Sequence, residues 1–306
     1  MTRRPSRAVA RSLVAPGLVL FAVVTAGCMN LSAAPTAEAD EHDLYPTDYV
    51  YRDVEGDPLP FQDIPSILEA LRTAEVVEST VMSRGVASNL KLTLEHRGAR
   101  FHAVLRMIDV TEKEETGSLR MVVKYRDSYI FEAAAFELNE LLGIGRIPPT
   151  TLRRVDGVPG SIQIWMEGMT PEDIMLDEDR LRPPDRERWW RQKGVMWVFD
   201  ALVANTDRNQ GNLLIDEDWN LWLIDHTRAF RETSVLMGAD DLKNCERGLW
   251  NALQHADDDA IRETLEPYLT SNEIKKLLLR KKKLIQHFQK RIKRKGEDRV
   301  LYTLAP

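Results

Sequence analysis

The chain has 306 residues, 43% hydrophobic and 29% charged, which suits one substantial core or two lobes and excludes a fibrous or wholly disordered chain. Its formal net charge of −6 argues against a general nucleic-acid binder, because phosphate contacts demand a basic surface. Two cysteines, Cys28 and Cys245, form no C-x-x-C pair and no zinc-ligand spacing, so no structural zinc site is expected.

Residues 1–28 read as an export segment. Arg3, Arg4 and Arg7 precede an apolar run around Leu13–Val24, and Thr25-Ala26-Gly27-Cys28 follows, the basic, apolar and small-residue order of a secretory signal. Cys28 after Ala-Gly resembles the lipidation site of bacterial lipoproteins, with Thr25 where Leu or Val is usual. The expectation is a membrane-anchored, extracytoplasmic lipoprotein of a bacterial cell envelope; ordinary secretion and a misplaced start codon are the alternatives. Residues 29–60, rich in Ala, Pro, Glu and Asp without apolar periodicity, read as a flexible linker.

A helix is expected from about Asp63, with Ile64, Ile67, Leu68, Leu71 and Val76 on one face and Pro65 in its first turn. Leu90–Leu94 and Phe101–Ile108 alternate as strands around a turn at Glu95–Gly98. Lys124 ends a strand-like Met121-Val122-Val123. Residues 130–143, ending in Gly143, form a helix by propensity, with Phe131, Ala134, Ala135, Leu138, Leu141 and Leu142 as its buried stripe. Two strands joined at Asp156-Gly157 lead to Trp165–Glu167, and a helix spans 185–204. The tail is helical over Ile261–Leu269 and Asn272–Lys295. The last of these helices is basic and amphipathic: it can dock on the protein with a solvated basic face, or lie on anionic lipid.

The densest chemistry lies in 199–230, FDALVANTDRNQGNLLIDEDWNLWLIDHTRAF. Asn212 follows Asp207 at the D-x-x-x-x-N spacing of a phosphotransfer loop, and Asp225 follows a short hairpin pattern, Leu213–Ile215 and Leu221–Ile224. Phosphoryl transfer uses such a set: a carboxylate orients the attacking hydroxyl, while an amide oxygen and a second carboxylate hold metal against the phosphates. The alternative is that Asp207 and Asn212 only cap a turn.

NTDRNQGNLL followed by LIDHTRAF resembles the D-R-H-x-x-N and I-D-F-G pair of the phosphatidylinositol 3-/4-kinase-like superfamily. It is closer still to bacterial relatives of the secreted Golgi casein kinase family, with HipA-type kinases more distant. Asn209 stands where the lipid-kinase motif has His, and His226 replaces the Phe after the metal-binding Asp. The resemblance implies an α+β, two-lobed protein-kinase-like fold, with a small antiparallel-sheet lobe carrying one helix (61–167) and a mainly helical large lobe (168–306).

The same resemblance implies catalytic Asp207, metal ligands Asn212 and Asp225, and ATP with Mg2+ or Mn2+ as cofactors. Relatives carry a nucleotide-anchoring Lys at the end of a strand where this chain has Ala103-Val104-Leu105-Arg106, so Arg106 is the expected anchor and Lys124 its rival. Glu132 matches the helix Glu that pairs with the anchor, and Trp165–Glu167, centred on Met166, is the expected nucleotide hinge. No Gly-rich phosphate loop is visible; Gly85 and Gly98 stand alone. The expected partners are a nucleotide, a hydroxyl acceptor on protein, lipid or glycan that the sequence does not identify, and the membrane through the N-terminal lipid anchor. A pseudokinase that binds a nucleotide or partner is the alternative, and a metal-dependent phosphohydrolase is a third class.

Overall fold

A computed structural model describes residues 49–82, 89–116, 121–178 and 180–304; for 112–116, 121–125 and 178 it describes the backbone alone. The export segment, Cys28, the linker as far as residue 48, Gly85 and the Lys124 side chain lie outside the described residues. All described residues belong to one compact unit, 42–306.

The linker reading fails for residues 49–60. Tyr51 and Leu59 are buried with Phe61 in the small-lobe core, and the Gln62 side chain pairs with both the N–H and the carbonyl of Tyr51. Their irregular spacing hid them, because they are held by a loop and not by a periodic element.

Helix α1 (Ile64–Thr73) begins where Asp63 accepts from Ser66 N at 2.9 Å, with Pro65 in the first turn, where no intrahelical donor is needed. It stops before Val76, which belongs instead to β1 (Glu75–Val81), a run whose β-branched residues suit a pleated strand. β2 (Leu90–His96) and β3 (Ala99–Arg106) pair antiparallel through a two-residue turn, Arg97-Gly98, with φ of 52° and 80° as such hairpins require. The register sets Leu92 opposite Ala103 and Leu94 opposite Phe101, all four buried.

β4 (Asp109–Thr116) and β5 (Met121–Ser128) form a separate two-stranded ribbon. Helix α2 (Ile130–Leu141) follows; its apolar stripe is as expected except at Leu141, which is 38% exposed. β6 (Thr150–Val155) and β7 (Val158–Ile164) complete a five-stranded sheet of order β1-β2-β3-β7-β6.

In the second half, β8 (Thr170–Pro171) leads to α3 (Arg186–Val203), capped by Asp185, whose side chain accepts from Glu187 N and Arg188 N. β9 (Leu213–Ile215) and β10 (Leu221–Leu223) make the expected hairpin. Helices α4 (Arg247–His255), α5 (Asp258–Leu265) and α6 (Ser271–Lys295) follow, α6 opened by a capping box between Thr270 and Glu273. One apolar core joins α2 to α3–α6, and a second lies between α1 and the five-stranded sheet.

Candidate active site

The loop after α3 is shaped by its first residues. Ala204 caps the helix at φ 52°, and Asn205 Oδ1 accepts from Asp207 N at 3.1 Å, an Asx turn that presents the Asp207 carboxylate with its side chain 41% exposed. Asn212 Nδ2 donates to Asp207 O at 3.0 Å. With its nitrogen so committed, the amide leaves its oxygen for a cation. Ile224 N donates to Asn212 O at 3.2 Å, which pins the strand leading into Asp225 against Asn212. The spacing of Asp207, Asn212 and Asp225 in sequence therefore corresponds to one locally bonded constellation.

Asp225 stands at φ 60°, in the left-handed region that side chains other than glycine rarely adopt, at a cost of about 1–2 kcal/mol. Thr227 Oγ1 donates to its Oδ1 at 3.1 Å. Burial pushes the Asp225 carboxyl above the usual range; Arg106 works against that push and Glu132 adds to it. A buried carboxylate of this kind is a poor isolated charge and a good cation ligand. Among the described residues no three His, Cys, Asp or Glu side chains converge as a metal cluster. The Asn212 amide oxygen and the Asp225 carboxylate are oxygen donors of the kind a hard cation takes.

Glu132 lies in the first turn of α2 and is fully buried. Its Oε1 is 3.4 Å from Arg106 Nε and accepts from His226 N at 2.9 Å. Burial raises its pKa, but Arg106 and the bonds to His226 outweigh it and hold the carboxyl below the usual range. Glu132 therefore fastens the end of β3 to the residue after Asp225. Arg106, 5% exposed, also donates from Nη1 to Gln163 Oε1 at 3.3 Å, and Gln163 in turn donates to Thr150 Oγ1 at 2.8 Å.

Of the remaining sequence-based candidates, Lys124 lies in β5, opposite Lys113 in the backbone register, with its side chain outside the described residues. Met166 is 3% exposed and packs in the small-lobe core, and its carbonyl accepts from Met169 N. The hinge expectation for Trp165–Glu167 concerns backbone groups, which the burial of this side chain leaves open.

Further residues complete the site. Arg208 donates from Nε and Nη2 to the two oxygens of Asp200, at 3.0 and 3.1 Å, and from Nη1 to Asn212 O at 2.9 Å and Ile224 O at 2.6 Å. Its Nη2 also lies 2.9 Å from His226 Nε2. A guanidinium only donates, so His226 Nε2 is the acceptor and the ring proton sits on Nδ1, 3.6 Å from Glu132 Oε2. A continuous polar path thus runs Arg106–Glu132–His226–Arg208–Asp200. Arg228 bonds the buried Asp127 at 2.7 Å and stands 3.4 Å from Asp207 Oδ2. Arg208 is the R of the D-R motif and His226 stands at the motif's Phe position, while for Arg228 the signal was nearness to Asp225; Gln163, a polar residue inside an apolar strand, gave none.

The family model described as Fam20C, Golgi casein kinase, C-terminal, matches residues 59–163, about a third of the chain, and ends before the Asp207 loop. No curated protein sequence matches. Among solved structures, the Golgi casein kinase aligns at 16% identity and TM-score 0.57, covering 78% of both chains. The hydra Fam20 structure with sugar aligns at 16% identity and TM-score 0.57, covering 78% of this chain and 92% of the other. The Golgi casein kinase with Mn/ADP bound gives 16% and 0.56, again covering 78% of both. The chain has the two-lobed α+β fold of these kinases, and its site residues rest on their own geometry.

Proposed function

We propose that this protein is an atypical kinase, a metal-dependent phosphotransferase that moves the γ-phosphoryl group of ATP to a hydroxyl on protein, lipid or glycan. The observation that carries the reading is Glu132, one buried carboxylate ion-paired with the strand cation Arg106 and hydrogen-bonded to the backbone N–H of His226, beside Asp225. Phosphotransfer needs the phosphate-steadying cation and the metal ligand held in fixed relation, and this contact supplies it.

Asp207, presented by its Asx turn, orients the acceptor hydroxyl and takes its proton. The acceptor oxygen bonds to the γ-phosphorus as the bridging P–O bond breaks, and ADP leaves with that electron pair. Asn212 and Asp225 would hold Mg2+ or Mn2+, which when bound neutralises phosphate charge. The Mn/ADP complex of the similar Golgi casein kinase supports manganese and an adenine nucleotide. Arg228, 3.4 Å from Asp207 Oδ2, pairs with that carboxylate. The reading includes the lipid-kinase-like form of the motif, and export through residues 1–28 to a lipid anchor at Cys28.

The test is ADP release from ATP and Mn2+ across protein, lipid and glycan acceptors. Acceptor-dependent ADP is expected, with Asp207→Asn lowering the rate by about 10²–10⁴-fold. Acceptor-independent phosphate release would indicate a hydrolase instead. A pseudokinase is the second reading, favoured by Arg106 standing where relatives carry Lys and by its engagement with Gln163; it predicts nucleotide binding without turnover.

A further inference from the structure

Helix α6 carries eleven Lys or Arg residues and one acid, Glu273, in a chain of net charge −6. Its apolar side is used in the large-lobe core, where Ile274, Leu277, Leu284 and Phe288 are buried. Part of its charge is structural as well. Arg280 donates to the carbonyls of Leu202, Arg231 and Thr233, and Lys281 pairs with Asp258 at 2.7 Å.

The rest of the charge has no such task. Lys275, Lys282, Lys290, Lys293 and Arg294 are exposed, and none of their side chains makes a hydrogen bond or ion pair among the described residues. At 100° and 1.5 Å per residue they fall within an arc of roughly 120° along about 28 Å of helix. Leu279, 38% exposed, shares that arc. Beside its C-terminal half lies a groove of about 670 Å³ lined by Lys290, Arg294, Leu236 and Val235, the last 62% exposed, with Asp240 as its acid.

A small anion would neutralise one or two of these cations and leave the row unmatched. A straight row of that length matches a plane of many negative charges, and exposed Val235 and Leu279 beside it suit an interface with an apolar interior. We infer that α6 is a docking surface for an anionic phospholipid bilayer, with the cations at the phosphate level and Val235 and Leu279 entering the headgroup region. The inference stands apart from the phosphotransfer reading and makes no use of residues 1–41.

The test is flotation of residues 42–306, the compact unit, with vesicles of pure phosphatidylcholine and with vesicles one-third phosphatidylglycerol. Flotation is expected with the anionic vesicles alone and is lost as salt rises. The combined Lys282→Glu, Lys290→Glu, Lys293→Glu and Arg294→Glu variant should bind at least tenfold more weakly with an unchanged melting temperature, because these side chains are exposed and unbonded. The same four positions changed to Gln give a second variant that carries the argument if charge reversal impairs folding. Equal binding by wild type and variants, or no binding to anionic vesicles, overturns the inference. Capture by heparin or polyglutamate without vesicle binding overturns it in favour of a polyanionic macromolecule.

Discussion

Glu132 takes both Arg106 Nε and the His226 N–H on one oxygen, so its neighbours are coupled through a single charge. Arg106→Met leaves that buried carboxylate without its cation and should cost about 3–5 kcal/mol, measured by urea denaturation. Arg106→Lys keeps the charge and should retain most of the fold. The depressed pKa of Glu132 also fixes the sign of an acid effect. Its contribution is complete above the unfolded value, about pH 4.3, and is lost as pH falls through the lower folded value. In melting curves from pH 6 to 3, Glu132→Gln should be less stable than wild type at pH 6, and the gap should close towards pH 3. Gly160, in β7, approaches β3 so closely that a Cβ would lie 2.6 Å from Arg106 O. Gly160→Ala should therefore destabilise by about 1–3 kcal/mol and displace Arg106, seen as lost nucleotide affinity. At this scale the acids were legible because their type and spacing carry the chemistry. Gln163 and Gly160 were not, since each matters through a cross-strand neighbour that no local pattern reveals.

Among the elements, Arg208 does most to set the loop geometry. It ties α3 through Asp200, the loop through Asn212 O, the end of the hairpin through Ile224 O, and His226. Arg208→Ala should lower stability by about 2–4 kcal/mol and reduce ADP release at least a hundredfold. Lysine at this position, lacking the planar fork, should not restore either quantity, as paired melts and rate measurements can check. Helix α2 was readable from its helix propensity and terminating Gly143, and α6 from its amphipathic spacing. The β4–β5 ribbon was largely missed because, among the described residues, it pairs only with itself and stands outside the five-stranded sheet. Helix α4 was missed because it has only nine residues and buries only Leu249, Trp250 and Leu253.

Across the whole molecule, the boundary at 167/168 divides the sequence more cleanly than the packing. Helix α2 contributes Phe131, Ala134 and Leu138 to the core of the second half, while Trp222 of β10 sits in the core of the first. The two cores thus share elements, and α2 and β10 flank the loop that holds Asp225. A ligand bound there should stabilise both halves together, by RT ln(1 + [L]/Kd). The most direct measurement is a thermal-shift titration of residues 42–306 with ATP, with and without Mn2+, beside Asp207→Ala and Asp225→Ala. The account predicts a rise that needs ATP and metal together, survives Asp207→Ala and disappears in Asp225→Ala. A shift that is independent of metal, or that persists in Asp225→Ala, would contradict it.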